Sequence, residues 1–149
     1  MYAFADKLLE VTERHADEIA AQWCKAVQSN PHTTWFHARK AEDCNNFALD
    51  FYKNFRVVYF DEKPYKKLEK YFADYAEENF RKGVPMEEAI YALIMMRRHI
   101  WLFADFQALF VTALDAHRAV ETLNRTIRVF DQGIFVIIRR YRELEKAKK

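Results

Sequence analysis

Residues 120–144 of the chain read VETLNRTIRVFDQGIFVIIRRYREL, and they carry the strongest apolar pattern in the sequence. Large apolar residues recur along it at alternating steps of three and four: Val120, Leu123, Ile127, Phe130, Ile134, Ile137, Tyr141 and Leu144. A repeat of about 3.5 residues over several heptads is typical of a helix that packs against other helices along a seam. The stretch therefore predicts a long last helix, from about Asp115 to Lys149.

A second apolar line on the same helix consists of Val129, Gly133 and Val136. Glycine inside a helix costs about 1 kcal/mol relative to alanine, and close approach of another helix could offset that cost. Gly133 is therefore a candidate contact in a homodimer, on a dimer and relay helix that also carries Val129, Val136 and Tyr141. The alternative is that both apolar faces are buried within one chain.

The end of this helix should project from the body. A helix from Asp115 to Lys149 would be about 50 Å long, whereas a compact chain of this length is about 40 Å across. Residues 139–149 carry six basic and two acidic side chains, so the other 138 residues sum to a charge of −2. A basic helical extension suits the negative end of a helix dipole, whereas nucleic-acid binding calls for a basic patch on the whole domain. No nucleic-acid partner is expected.

The rest of the chain is poor in the residues that turn a backbone. Glycine and proline total five among 149 residues, and tight hairpins depend on them. An all-β fold is thereby excluded, as are Gly-rich phosphate loops, because the two glycines are 50 positions apart. Length and composition predict one all-α domain over residues 1–149.

Local signals divide this domain into helices. They predict helices over about Phe4–Gln28 and Ala41–Phe60, a third from Pro64 to Arg81-Lys82-Gly83, and a fourth beginning at Val84-Pro85-Met86. A softer break over Thr112–Asp115 precedes the last helix. The fold class expected is a globin-like or five-helix bundle domain with a long projecting C-terminal helix.

The fourth helix is apolar on every face from Ala89 to Leu102, except at Arg97, Arg98 and His99. Such a helix is expected at the centre of the fold, and a ligand cavity is expected beside it. The candidate pocket residues are Phe51, Tyr91, Met95, His99 and Phe103.

Arg97 and Arg98 need partners if this helix is buried, because a desolvated guanidinium requires a carboxylate. The favoured interpretation is an internal salt bridge with Asp74, Glu78 or Asp105. The alternative is that one arginine binds an anionic ligand group, such as a fatty-acid carboxylate, in a pocket that takes a small apolar or anionic molecule.

The spacing of potential ligands and nucleophiles argues against a metal site and against catalysis. None of the five histidines follows an acid by three residues, as di-iron bundles require. His117 and Glu121 fit a surface pair. Cys24 and Cys44 form no CxxC pair, which indicates neither zinc nor a disulfide framework. The chain is expected to be a cytoplasmic non-enzyme, and charged residues interrupt its most apolar stretch, so no membrane span is expected.

A haem-based gas sensor or globin-like binder is the alternative function. A helical domain of this size that is rich in aromatic residues is also what a globin looks like, and globins ligate iron through one histidine. His99 would be that ligand. No cofactor is expected otherwise.

Several segments in order resemble the N-terminal sensor domain of the RsbRD type. They are Glu18-Ile-Ala-Ala-Gln-Trp23, Arg81-Lys-Gly-Val-Pro-Met-Glu-Glu-Ala89, Leu93-Ile-Met-Met-Arg-Arg-His-Ile-Trp101, Val129-Phe130-Asp131 and Tyr141. That family is related to stressosome RsbR proteins and also fronts some bacterial sensor kinases. The resemblance implies a globin-like fold without haem, a dimer, and a last helix leading to an output domain; it carries over no catalytic residue.

Together these observations predict a non-catalytic signal-sensing domain that forms a homodimer and relays a signal through its last helix. The receiver would be an output domain or a regulatory protein partner. A helical module that binds a protein partner and no small ligand is a further alternative.

Overall fold

The computed structural model describes the backbone of residues 3–106 and 113–148, and the side chains of residues 5–103 and 117–148. These residues form six α-helices and one short 3-10 helix, and no strand occurs among them. In chain order they are α1 (Ala3–Arg14), α2 (Ala16–Val27), a 3-10 helix (Thr34–Ala38), α3 (Ala41–Tyr59), α4 (Lys66–Lys82), α5 (Met86–Phe106) and α6 (Ala113–Lys148). The all-α prediction is confirmed.

The single first helix that the sequence predicted is two helices that meet at His15. The backbone there has φ −110° and ψ 24°, yet helical hydrogen bonds continue on both sides, from His15 N–H to the Val11 carbonyl and from Ile19 N–H to the His15 carbonyl. The chain therefore bends without forming a loop. The His15 ring lies 5.1 Å from the Phe103 ring of α5, a contact between distant residues that local sequence signals do not report.

Helix α4 begins later than predicted. Pro64 lies before the helix, and Tyr65, with a left-handed φ of 58°, separates it from Lys66. The Asp61 carboxylate accepts a hydrogen bond from the Leu68 backbone N–H at 2.9 Å. This contact caps one of the free N–H groups in the first turn of α4.

The predicted end of α4 at Gly83 is confirmed. Gly83 has φ +86°, a conformation that glycine adopts without the steric penalty of a side chain. Its N–H bonds the Phe80 carbonyl, and the next N–H, of Val84, bonds the Asn79 carbonyl at 2.9 Å. This pair of bonds closes the helix and turns the chain into α5.

Three aromatic side chains anchor α5 in the core through its backbone carbonyls. Trp23 Nε1 of α2 donates to Ala92, the Tyr52 hydroxyl of α3 to Met96, and the Tyr75 hydroxyl of α4 to Ala89, each at 2.9 Å. Each bond satisfies a buried polar group while its ring fills the core.

The expectation that neighbours surround α5 on all sides holds only in part. Arg98 and Leu102 are exposed, and Leu102 keeps 55% of its surface accessible. One side of α5 therefore remains open.

The second apolar line of α6 is buried within the chain, which is one of the two alternatives that the sequence left open. Val129, Gly133 and Val136 are buried within the chain, and Tyr141 donates a hydrogen bond to the Val84 carbonyl at 2.9 Å. Gly133 lies against the Phe72 ring of α4. The close approach that Gly133 allows is thus made to a helix of the same chain, because the cross-section of α4 at Phe72 leaves no room for a side chain on α6.

The predicted heptad seam is divided along its length. Phe130, Ile137 and Tyr141 are buried, whereas Val120, Leu123 and Ile127 at its beginning are exposed. The apolar surface that α6 leaves open is therefore in its first half and at Phe135, which is 60% exposed.

The basic extension over residues 139–149 lies along α4 in its described part. Arg140 pairs with Glu77 at 2.6 Å, Arg139 with Glu69 at 3.9 Å, and Lys148 Nζ is 5.9 Å from the Phe80 ring. The contacts of Arg139, Arg140 and Lys148 with α4 hold this part of α6 against the body, and the projection of its end stays a prediction. No described helix is both long enough and apolar enough to cross a bilayer.

Candidate functional site

A cleft of about 730 Å³ opens between α3, α4 and the 3-10 helix. We call it the α3/α4 cleft. Its lining comprises Trp35, Phe36 and Arg39, then Asp43, Cys44, Asn46, Phe47, Asp50 and Phe51 of α3, and Tyr71, Asp74, Tyr75, Glu78, Asn79 and Lys82 of α4. Within each helix these residues recur every three or four positions, so they share one face. The volume is within the range of small-molecule sites, about 300–1,000 Å³.

Aromatic rings form much of the wall and hold the two helices together. The Phe47 and Tyr75 ring centroids are 5.6 Å apart, and those of Phe51 and Tyr71 are 6.0 Å apart. These are distances at which aromatic pairs attract. The wall is therefore apolar and built from rings on both sides.

Charged side chains surround this aromatic wall. Four carboxylates line the cleft against two cations, Arg39 and Lys82. Glu78 pairs with Lys82 at 3.0 Å, and Asp74 pairs with Lys70, which lies outside the lining, at 2.7 Å. The lining thus carries a net negative charge.

One polar group of the lining is buried without a partner. Asn79 is 1% exposed, and its Nδ2 donates to the Tyr75 carbonyl at 2.8 Å. Its Oδ1 accepts no hydrogen bond within the described part of the chain. A buried acceptor that lacks a hydrogen bond lowers the stability of the fold by about 1–3 kcal/mol. A hydrogen-bond donor on a ligand would remove this cost.

The two tyrosines of the lining stay protonated. Burial raises the pKa of Tyr71, and the carboxylates of Asp50 and Glu78 raise it further. The pKa of Tyr75 lies well above its ordinary value, mainly through burial. Both hydroxyls are neutral at physiological pH, and the cleft offers ring faces rather than phenolates.

Two cysteines that are 20 residues apart in sequence meet behind the cleft. Cys44 lines it, and both thiols are buried and free. Cys24 Sγ lies 3.8 Å from the Ala41 carbonyl oxygen at the start of α3. Burial and the neighbouring Cys24 raise the pKa of the Cys44 thiol. The sequence offered one weak signal of this contact, since both cysteines lie on apolar helix faces.

The pocket residues expected from the sequence are not brought together. Phe51 lines the cleft, whereas the other four, Tyr91, Met95, His99 and Phe103, lie on α5 and are absent from the lining. Tyr91 packs on the His32 ring at 5.2 Å, and Met95 and Phe103 are buried in the core. The cleft lies away from these four residues because Trp23, Tyr52 and Tyr75 pack onto α5 and cover its backbone carbonyls.

The two arginines of α5 do not form the expected salt bridges with α4. Asp74 and Glu78 instead pair with lysines four residues away on their own helix, a spacing that brings side chains together. The Arg97 guanidinium lies 5.7 Å from the Phe130 ring, and Arg98 is exposed. The Asp105 side chain lies outside the described residues. Neither arginine lines the cleft.

The cleft lining contains no histidine and does not include His99, the ligand of the haem alternative. His99 Nδ1 lies 2.8 Å from the Met95 carbonyl oxygen of its own helix. Among the described residues there is also no group of three or more side chains arranged to hold a metal ion.

Comparisons of the chain with protein-family models, with curated proteins and with solved structures give no match. The cleft and the surface of α6 are therefore the basis for a proposal of function.

Proposed function

We propose that this chain is a non-catalytic regulatory domain that binds a small molecule in the α3/α4 cleft and forms a homodimer through α6. Binding shifts α4, and α6 relays the shift to an output domain or regulatory protein. The observation that carries the proposal is that one helix, α4, forms both a wall of the cleft and the main packing partner of α6.

Helix α4 contacts both the cleft and α6, so a movement of α4 passes to α6 without an intermediate element. Tyr75 and Asn79 face the cleft, while Phe72 lies against Gly133 and Glu77 pairs with Arg140. A ligand that binds two arrangements of α3 and α4 with unequal affinity shifts the population between them. The Phe72 ring of α4 and Gly133 of α6 pack without free space between them. A displacement of α4 therefore displaces α6 as well.

The dimer surface is the apolar face that α6 leaves open, which we define as Val120, Leu123, Ile127 and Phe135. The steps of three, four and eight residues place them on one side of the helix, which they share with exposed Asn124 and Asp131. Large exposed apolar residues on one face mark an interaction site. A second copy is the proposed occupant, since Val120, Leu123 and Ile127 keep the three- and four-residue spacing of the seam and can pair with their equivalents about a two-fold axis.

The resemblance to RsbRD-type sensor domains agrees with this arrangement, because those domains are dimers whose last helix leads to an output domain. A cytoplasmic location also belongs to the proposal. Two free, buried cysteines suit a reducing compartment.

Sedimentation equilibrium tests the dimer. The wild-type chain of 17.9 kDa should sediment with twice that mass, and the double variant Leu123→Glu/Ile127→Glu should sediment as a monomer with unchanged helical circular dichroism. The matched control is Val57→Glu on α3, since Val57 is 53% exposed but lies outside the dimer surface. A wild-type monomer, or a dimer that survives the double variant, would contradict this half of the proposal.

Distance measurement between spin labels tests the relay. A cysteine placed at exposed Arg142 near the end of α6 can be labelled selectively, because Cys24 and Cys44 are buried. The probes are phenethylammonium chloride, phenethyl alcohol and sodium phenylacetate, which share a ring and differ in charge. A bound probe should change the distance between the two labels of a dimer, and an unchanged distance with a bound probe would contradict the relay.

A further inference from the structure

We propose that the α3/α4 cleft selects an organic ammonium ion with an apolar, ring-sized body, whose N–H group donates to Asn79 Oδ1. This inference rests on the proposed function for the cleft as the ligand site, and adds the chemical class of the ligand.

The unpartnered amide of Asn79 sets the polarity of the group that it would bind. Its Nδ2 is already used by the Tyr75 carbonyl, which fixes the orientation of the amide, so the remaining atom is the acceptor Oδ1. An acceptor requires a hydrogen-bond donor. A carboxylate or a phosphate ester offers acceptors only, whereas a primary ammonium offers three N–H donors.

The aromatic wall is suited to a cation. Ring faces attract ammonium and guanidinium groups within about 6 Å of the centroid. Two cations of the chain already occupy rings of the lining: the Arg39 guanidinium lies 3.8 Å from the Trp35 ring, and Lys82 Nζ lies 5.6 Å from the Phe47 ring. Within the part of the chain that the structure describes, no cation lies over the Tyr71 and Tyr75 rings, which line the cleft together with Asn79 on one face of α4.

The charge of the cleft also favours an organic ammonium ion. Its carboxylates are Asp43, Asp50, Asp74 and Glu78, against Arg39 and Lys82 in the lining and Lys70, which pairs with Asp74 beside it. One negative charge remains in excess, which disfavours an anionic ligand. Their negative charge also acts on the aromatic wall. Burial is the main cause of the raised pKa of Tyr71, and the carboxylates of Asp50 and Glu78 raise it further. Arg97 and Arg98 were the candidates for binding an anionic ligand, and neither of them lines the cleft.

The three observations are independent and converge on one molecule type. The amide requires a donor, the rings attract a positive charge and an apolar body, and the carboxylates repel an anion. A primary alkylamine that is protonated at neutral pH and carries a ring or a branched aliphatic body meets all three conditions within about 730 Å³.

Calorimetric titration with the three phenethyl probes tests the class. Phenethylammonium should bind and raise the melting temperature by mass action, and phenylacetate should not bind. Phenethyl alcohol, which can donate one hydrogen bond but carries no charge, should bind more weakly than the amine. The N,N,N-trimethyl derivative keeps the charge but lacks N–H, and it should bind at least tenfold more weakly if the bond to Asn79 Oδ1 forms.

Two variants locate the site. Asn79→Leu keeps the side-chain size and removes the acceptor, and should weaken phenethylammonium binding by about tenfold or more. Asp50→Asn changes an exposed residue, so the chain should fold unchanged and bind about two- to fivefold more weakly. The matched control, Asp17→Asn, removes an exposed carboxylate of α2 outside the cleft and should leave the affinity unchanged.

The outcomes separate this inference from the proposed function. Equal binding of phenylacetate and phenethylammonium, loss of affinity in Asp17→Asn as large as in Asp50→Asn, or no binding of the amine would overturn the ammonium class. Sedimentation of the dimer and the α6 label distance decide the proposed function independently. Amine binding that leaves the label distance unchanged would uphold the class and reject the relay.

Discussion

A Cβ atom built on Gly133 of α6 would lie 2.7 Å from both Cε2 and Cζ of the Phe72 ring on α4. Carbon atoms that are not bonded do not approach so closely, and the Phe72 ring is fully buried. The two helices therefore meet at a position where only glycine fits. This contact joins the cleft wall to the helix that carries the proposed dimer surface.

Substitution of Gly133 by alanine is expected to destabilise the fold. Alanine improves the helix propensity by about 1 kcal/mol, but overpacking against a buried ring costs about 1–3 kcal/mol. We expect a net loss of about 1 kcal/mol in the free energy of unfolding, measured by urea denaturation. The control is Gln132→Ala, an exposed neighbour on the same helix, with little change.

A double-mutant cycle checks the cause of that loss. Phe72→Leu makes space at the contact, so Gly133→Ala should be less destabilising in that background than in the wild type. An equal loss in both backgrounds would show that the Phe72 ring is not what opposes the new methyl group.

Tyr141→Phe should loosen the end of α6. The Tyr141 hydroxyl donates to the Val84 carbonyl at 2.9 Å, and the ring packs on Phe80 with centroids 5.6 Å apart. The variant keeps the ring and removes the bond, so the free energy of unfolding should fall by about 1 kcal/mol. Hydrogen exchange should quicken at the end of α6.

The matched control for this variant is Arg139→Ala. Arg139 forms an exposed ion pair with Glu69 at 3.9 Å, and its guanidinium lies 5.4 Å from the exposed Phe135 ring. Loss of these surface contacts should cost about 0.5 kcal/mol. If the two variants lose equal stability, the buried hydrogen bond contributes no more than a surface charge pair.

Stability should fall steeply above about pH 10. Burial raises the pKa of Tyr52, Tyr71, Tyr75 and Tyr141 above the ordinary tyrosine value, which is about 10 in an unfolded chain. The folded state then retains protons that the unfolded state loses, so this contribution is complete below about pH 10 and is lost as the pH rises toward the folded-state pKa. Urea midpoints between pH 8.5 and 11 measure the slope.

Tyrosine absorbance at 295 nm provides the control for this pH dependence. After a jump to high pH, the buried phenols should ionise only at the rate of unfolding, and Tyr52→Phe should reduce the pH slope of stability. Immediate ionisation of all eight tyrosines with native circular dichroism would refute the assignment.

The thiols of Cys24 and Cys44 should resist a disulfide reagent in the native protein. Both are buried, and the pKa of Cys44 is raised by burial and by Cys24, so little reactive thiolate forms at pH 8. The reagent 5,5′-dithiobis(2-nitrobenzoate) should react slowly with the native chain and fast with two thiols in guanidinium chloride.

Cys24→Ala should speed the reaction of Cys44, because two of the three causes that raise the pKa of Cys44 then disappear. A native chain that reacts within the mixing time would contradict the burial of both thiols.

Features that depend only on neighbouring residues could be predicted from the amino-acid sequence. The scarcity of glycine and proline fixed an all-α fold, and Arg81-Lys82-Gly83 marked the end of α4, because capping and left-handed φ are decided within a few residues. The predicted start of α3 at Ala41 agrees with the structure, and the predicted end at Phe60 differs by one residue. Local physics sufficed for these features.

The buried face of α6 and the position of the cleft depend instead on how distant helices pack together. The periodicity of α6 marks two apolar lines without ranking them, and the choice depends on Phe72, 61 residues before Gly133. The cleft likewise arises from α3 and α4 packing face to face, and the Cys24 and Cys44 thiols meet through the packing of α2 on α3. Such contacts join residues far apart in the chain, and their energies depend on shape complementarity that no local pattern encodes.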